Sequence, residues 1–529
     1  MMNIKKIPME PLISQFQGWP ISAQVIFGLV ILSIIYSFLA GDRPYPGLPL
    51  AKIEQDGIKP LIHFFLPGFS WMLSPREVLA KGKEISKAHD GIYQVRASGG
   101  YKIVLPRRYA EEIRNSEYMT FLGSVKKDFH ATQPGFEGML EGCREDGLVI
   151  DVIHKLIQSL DVVLGPVVDE ANYSISVWFG DNEEEWRSVD LKDAVVDIIA
   201  RTATRAFAGK DLARNEDWIR VSRDHVITAF AAAIILHHVP AFLRPILVWV
   251  IPECRKQRRQ LADAKRLLAP RLQEIEQRNQ DGIEEPGVPD AFTWLMDVAK
   301  GRPINFVLAQ LNLSEGSVHT TTELVTRLII QCCETPNVVN ELREEIIRVL
   351  QDEGGWSKPA LYKMKLLDSF MKEVSRYRPL SVTSMLRDVR RDVTLSNGVV
   401  LPAGGLVMVE DDGNKDPNIN PQPEKFDAHR YLRLRDKPDG DRNQFTMTSP
   451  DNLVFGYGTH QCPGRQFASN EAKVVFSFML LKYDWRFEPD YTLVEAFNFE
   501  SRVAAPNARV QYRRRQAEID LLEVKAKRT

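Results

Sequence analysis

Along most of the chain apolar residues recur at three- to four-residue spacing, which gives a helix one buried face. That period predicts helices over Val195–Ala208, Asn337–Gln351, Leu361–Tyr377 and Ala468–Leu481. Short β-branched or alternating runs at Ile92–Val95, Lys102–Leu105, Val393–Leu395 and Val399–Leu401 read as strands. Between residues 50 and 529 there is no internal repeat, low-complexity tract or flexible linker. The pattern predicts a single large domain over 51–529, mainly α with small β-sheets (α+β).

Two stretches depart from this pattern. No charge occurs between Glu10 and Asp42, and Ile21–Ala40 is almost wholly apolar. About 20 helical residues rise ~30 Å, the thickness of a bilayer's hydrocarbon core. Trp19 suits the interface. The expectation is one N-terminal transmembrane helix at about 21–40 within an anchor of residues 1–43. Lys5 and Lys6 before it, and Arg43 and Lys52 after it, do not orient it. Pro44, Pro46 and Pro49 then predict a stiff hinge over 44–50. The second stretch, Ile227–Pro252, is interrupted by His237, His238, Pro240, Arg244 and Pro245. It is expected as two shorter helices with an apolar face, which would meet a membrane surface, line a substrate entrance or pack in the core. Arg255, Lys256, Arg258 and Arg259 follow; they form a solvated face or meet anionic headgroups.

Composition adds exclusions. Lys plus Arg number 68 against 70 Asp plus Glu, a net charge of -2, which argues against a nucleic-acid partner. The five cysteines are scattered, with no Cys-x-x-Cys pair. A disulfide scaffold and a structural zinc site are therefore not expected, and the compartment reads as reducing.

One cysteine stands in a distinctive setting, Phe455-Gly-Tyr-Gly-Thr-His-Gln-Cys462-Pro-Gly464-Arg. Gly456, Gly458 and Gly464 are expected to allow positive φ and close backbone approach, leaving N–H groups free to point at the sulfur. A helix begins after Pro463 and Gly464, and its N-terminal dipole favours a thiolate at Cys462. Phe455 can shield the site from water. The loop matches Phe-x-x-Gly-x-x-x-Cys-x-Gly, the signature of the cytochrome P450 superfamily, which the chain resembles over nearly its whole length.

Three further segments resemble that superfamily in order and spacing. Glu373-Val-Ser-Arg376 lies on one helix face; it resembles the Glu-x-x-Arg pair, and Arg430 in Phe426-Asp-Ala-His-Arg430 resembles its partner. The resemblance implies a buried network behind the cysteine loop, with His429 where Glu is common. Leu313-Ser-Glu315-Gly316-Ser317-Val-His319-Thr320-Thr321 resembles the oxygen-activating helix. Its Gly-Ser pair is expected to open a kink, and Thr320 to relay a proton. Ser317 and His319 depart from the usual glycine and acid, which puts the proton route in doubt. Glu315 and His319 are four residues apart and are expected to pair; Glu315 would orient a polar substrate group or join proton delivery. Arg387, and His460 in the cysteine loop, occupy positions that the resemblance assigns to haem propionates. No early-helix propionate partner stands out; His154 and Lys155 are weak candidates.

The resemblance implies haem b bound through Cys462 and a monooxygenase of lipophilic molecules. The His-Thr-Thr helix, the cysteine loop and Ala213-Arg-Asn-Glu-Asp-Trp218 resemble fungal oxygenases of terpenoid and indole-diterpenoid secondary metabolism. No dinucleotide fingerprint is present. Electrons are therefore expected from another protein; the resemblance implies NADPH–cytochrome P450 reductase using NADPH, with cytochrome b5 a second candidate, at the endoplasmic reticulum membrane with the catalytic domain in the cytosol. Two alternatives keep the haem: a reductase-independent rearrangement catalyst, and a non-enzymatic tethered haem protein.

Overall fold

The computed structural model describes residues 43–52 and 69–523, apart from residues 98, 182, 283–287, 412, 414, 494–495, 499–500 and 504–507. The expected membrane helix at 21–40 lies outside the described residues. Among the described residues no helix is long and apolar enough to cross a membrane.

The helices that frame the site are α1 (Glu137–Gly142), α2 (Leu148–Gln158), α3 (Leu160–Phe179), α4 (Leu191–Ala213), α5 (Glu216–His237), α6 (Pro252–Asp281), α7 (Phe306–Glu334), α8 (Lys365–Tyr377) and α9 (Arg465–Lys482). Several start at side-chain caps that take up otherwise orphaned N–H groups. Asp190 caps α4, Asn215 accepts from Trp218 N at 3.0 Å at the start of α5, and Asn305 accepts from Leu308 N at 3.1 Å at the start of α7. Gly209, at φ +81°, breaks α4 just where the apolar period of Val195–Ala208 stops.

α7 runs through the middle of the helical layer and packs on α1, α4, α5, α8 and α9. Val325, Leu328 and Ile329 of α7 join Phe370, Met371 and Val374 of α8 and Val474, Val475 and Phe478 of α9 in one apolar core. Burying each such side chain contributes roughly 1.5–3 kcal/mol, which fixes α7 and α9 against each other.

Two expected elements differ. Leu361–Tyr377 is not one helix: Lys358–Lys363 ends at Met364 and α8 begins at Lys365. Glu345, from the helix Asn337–Glu353, accepts from the backbone N of Leu366 and Leu367, both at 2.8 Å. This remote carboxylate acts as the N-terminal cap of α8, and periodicity carries no sign of such a partner. Ile227–Pro252 is not two short helices either. Its first part completes α5, a turn follows through Pro240, and only Arg244–Leu247 forms a short helix before α6.

The main sheet contains β1 (Leu50–Ala51), β2 (Tyr93–Ala97), β3 (Gly100–Leu105), β4 (Met119–Thr120), β5 (Thr383–Val389) and β6 (Leu406–Glu410), in the order β1-β2-β3-β6-β5-β4. The proline segment is tied to this sheet: Gln94 accepts from Tyr45 N at 2.7 Å and donates to the Tyr45 and Leu48 carbonyls. Val393–Thr394 pairs with Val400–Leu401 in a separate two-stranded hairpin. The register of β5 on β6 shifts between Ser384 and Arg387, and Met385 there has φ +52°. Such a bulge re-aims the side chains beside it, and the one it re-aims is Arg387.

Candidate functional site

Cys462 closes a tight loop in which its N–H donates to the Phe455 carbonyl at 2.7 Å and Gln461 N donates to Gly458 O at 3.0 Å. Gly456 and Gly458 take φ +70° and +79°. A Cβ at Gly458 would overlap the Arg114 backbone, so this residue is held by sterics as well as conformation. Gly464 differs from expectation. Its φ is -84°, in the ordinary region, and it stands directly before α9. The nearest atom to a Cβ there would be Ile153 Cγ2 of α2 at 4.0 Å. Phe455 packs edge-on against Phe445, ring centroids 5.0 Å apart, and screens one side of the loop.

The backbone N–H groups of Gly464 and Arg465 lie beside Cys462 and favour its thiolate form. Burial nonetheless pushes the thiol up, and these N–H groups and the Arg465 charge offset only part of that. Arg465 also ties the loop to its surroundings, donating to the carbonyls of Cys462 at 2.9 Å and Thr446 at 3.2 Å. A thiol in this setting becomes a stable thiolate when a metal cation is attached to it.

Beside the loop lies Arg387, fully buried on β5. It donates to its neighbour's carbonyl, Leu386 O, at 2.9 Å and reaches Tyr457 O at 3.5 Å, while its Nε has no partner. Burial pushes its guanidinium down to about 10. A buried cation without a carboxylate is costly, so the position fits an anionic group from outside the chain. His460 lies near enough for the Arg387 charge to act on it. Burial, then that charge, lowers its pKa, leaving a neutral ring whose Nε2 meets the Met119 carbonyl at 3.2 Å. Neither His154, which is exposed, nor Lys155, which lies 3.8 Å from Asp297, contacts Arg387 or His460.

The structure brings Glu373, Arg376 and Arg430 together. Glu373 is fully buried and accepts from Arg376 Nε at 2.8 Å and Nη2 at 2.9 Å, from Arg430 Nε at 3.0 Å, and from Asp427 N at 3.1 Å. The remaining guanidinium N–H groups donate to carbonyls: Arg376 to Pro423 at 2.8 Å, Arg430 to Pro421 at 2.7 Å and Lys425 at 2.9 Å. His429 turns away and meets Glu341 at 2.9 Å. One carboxylate therefore binds α8 to the segment 421–430.

On α7 the outcome is mixed. The Gly316-Ser317 pair does not break the helix, which is continuous over Phe306–Glu334. Ser317 Oγ donates to Leu313 O at 2.8 Å and Thr320 Oγ1 to Gly316 O at 3.0 Å, the back-bonding by which hydroxyls are accommodated within helices. Glu315 and His319 do not pair. They lie on α7 but meet different atoms of α5: His319 Nε2 meets Arg223 O at 2.9 Å, and Glu315 Oε1 lies 3.3 Å from His225 Nε2. Burial lowers the His319 pKa, so it is a neutral clamp. Gly316 and Thr320 are exposed although neighbouring positions on α7 are buried.

A half-buried cysteine in a glycine loop at a helix start, beside a buried arginine with no carboxylate partner, is an arrangement that suits a haem-thiolate pocket in a mainly helical fold. The residues present fit haem: sulfur for the iron, Arg387 for an anionic edge, and an open stripe on α7. A family model described as Cytochrome P450 matches residues 168–513, and the chain belongs to that family. Cytochrome P450 monooxygenase bsc11 of Alternaria brassicicola is 35% identical over 93% of this chain and 94% of its own length. Cytochrome P450 monooxygenase 1 of Gibberella fujikuroi is 36% identical over 81% of this chain and 99% of its own, and trt6 of Aspergillus terreus is 35% identical over 81% and 88%. The protein is an oxygen-incorporating oxidoreductase with a haem-thiolate cofactor.

Proposed function

We propose that the enzyme oxidises a lipophilic fungal secondary metabolite, of terpenoid or indole-diterpenoid type, with Cys462 as the axial ligand. The observation that carries the site assignment is the half-buried Cys462 in a tight glycine loop at the start of α9, with the buried, carboxylate-free Arg387 beside it. Haem bound there supplies dioxygen activation and C–H oxidation. The residues then divide the remaining tasks. Phe455 excludes water, Arg387 binds a propionate with His460 beside it, and Glu373 holds Arg376 and Arg430 so that the loop keeps its shape. Thr320 holds a proton at Oγ1 on the open stripe, where its present acceptor, Gly316 O, is one turn away and easily exchanged. His319, bonded to Arg223, clamps α5 instead of carrying that proton.

Electrons come from NADPH through a cytochrome P450 reductase, with cytochrome b5 as a second donor. Residues 1–43 anchor the chain in the endoplasmic reticulum membrane, 44–50 form the hinge, and 51–529 are the catalytic domain on the cytosolic side. The apolar run Ile21–Ala40 supports this, as does the exposed apolar patch of Ile246, Trp249 and Val250 between α5 and α6. The test is product formation from a terpenoid panel with reductase and NADPH. Turnover that needs both supports the reading; rearrangement of a peroxide without either would replace it. In the reconstituted system Thr320→Ala is expected to keep consuming NADPH while product per NADPH falls about tenfold or more, the scale of a lost proton-transfer group. Unchanged coupling would remove Thr320 from proton delivery.

Arg387→Met separates cofactor binding from folding. Met nearly fills the same volume without a buried charge, so the haem-free protein is expected to melt no lower than wild type. Haem transfer to a scavenger such as apomyoglobin is expected to speed up about tenfold or more, as a charge-assisted contact is lost. A lower melting temperature with unchanged haem loss would mean that Arg387 serves the fold.

A further inference from the structure

Asn312, Gly316, Thr320 and Leu324 recur at every fourth position of α7, and all are exposed or half-buried on a helix that is otherwise mostly packed. Residues so spaced share one helix face, so this stripe borders the open side of α7. Its polar members are Thr320 and Asn312.

Asn312 is backed by a row of polar side chains from three helices. Its Nδ2 donates to Glu315 Oε2 at 3.4 Å; Glu315 Oε1 lies 3.3 Å from His225 Nε2; and the same His225 nitrogen lies 3.1 Å from Gln257 Nε2 of α6. His225, Gln257 and Glu315 are buried, and His225 Nδ1, Gln257 Oε1 and Glu315 Oε1 have no hydrogen-bond partner. A fully apolar contact would have served simple packing better, because buried unpaired polar atoms cost free energy. α1 is shaped around this row. A Cβ at Gly138 would stand 3.0 Å from Glu315 Oε1, and one at Gly142 would overlap the Asn312 amide.

The carboxylate settles how Asn312 is turned. The amide presents Nδ2 to Glu315 Oε2, and Oδ1 is directed away. Asn312 Oδ1 accepts no hydrogen bond among the described residues. We propose that Asn312 is a specificity-determining residue whose Oδ1 accepts a hydrogen bond from a substrate hydroxyl, with Glu315 as its positioning residue. The inference rests on the monooxygenase reading above and narrows its substrate to an apolar skeleton already bearing a hydroxyl group. A hydroxyl-forming step, by oxygenation, reduction or water capture, must therefore precede this enzyme.

The test uses azoles, which occupy the cavity through their own bond to iron and need no knowledge of the substrate. Phenyl- and biphenyl-imidazoles with and without a terminal hydroxyl, graded in reach, are titrated into full-length holoenzyme and read by the Soret shift. Wild type is expected to prefer the hydroxyl form at one reach by about fivefold to tenfold, the size of one hydrogen bond. Asn312→Leu is expected to abolish that preference while binding the parent azole within about threefold. Glu315→Gln, which frees the Asn312 amide to turn over, is expected to reduce the preference with a normal carbon monoxide spectrum. No preference at any reach in wild type, or a preference surviving in Asn312→Leu, overturns the proposal. If the parent azole gives no Soret shift in wild type, it is the haem-thiolate reading that fails.

Discussion

Glu373→Ala is expected to abolish recovery of folded, haem-loaded enzyme. Glu373 lies fully buried and is the acceptor for three guanidinium N–H groups and the Asp427 N–H. Removing it strands Arg376 and Arg430, which are themselves buried. Breaking a buried ion pair from one side costs about 3–5 kcal/mol, against a typical total stability of about 5–15 kcal/mol. Here two cations lose the same partner, so the loss sits at the upper end or beyond. Glu373→Gln keeps acceptor oxygen but not charge, and is expected to fold at reduced temperature with partial haem occupancy. The check is haem absorbance per unit of soluble protein, with the thermal midpoint of whatever is recovered. Full haem content in Glu373→Ala would mean that the network is dispensable for the pocket.

The loss should be felt at a distance because of where Glu373 sits. α8 carries it, the segment 421–430 is bound to it, and α8 and α9 share the apolar core through Phe370 and Phe476. The cysteine loop leads directly into α9. A released α8 therefore loosens the base on which Cys462 stands.

What the sequence disclosed follows from how local each feature is. Glu373 and Arg376 are one helical turn apart, so their shared face is legible from spacing; Arg430 and Arg387 come from distant segments and were legible only by resemblance. The cysteine loop announces itself because it needs unusual residues in a short run. At Gly464 a glycine before a helix suggests positive φ, but it takes an ordinary φ of -84°, and a Cβ there would meet nothing nearer than Ile153 Cγ2 at 4.0 Å. The Glu315–His319 pair failed for a different reason. Spacing on one helix is a weak attraction of a few tenths of a kcal/mol, and contacts offered by a neighbouring helix outweigh it. His225, Gln257 and Asn312 gave no signal at all: each is a lone polar residue in a helix, and their row exists only once α5, α6 and α7 are packed. The same holds for Glu345, whose capping of α8 spans two separate helices.

Cys462 carries the central claim. In the chain itself burial holds its sulfur towards the thiol form, and Gly464 and Arg465 N–H groups are arranged for a thiolate. Cys462→Ala removes the sulfur ligand of the loop while leaving the backbone N–H to Phe455 O bond, the glycine turns and the start of α9 available. The variant is expected to fold with a thermal midpoint close to that of haem-free wild type, and to lose all monooxygenase turnover. The most direct measurement is the carbon monoxide difference spectrum of reduced, purified full-length protein, wild type against Cys462→Ala. A strongly red-shifted Soret band in wild type, absent from Cys462→Ala, is the predicted result; the same band in both, or no haem band in well-folded wild type, would contradict thiolate ligation by Cys462.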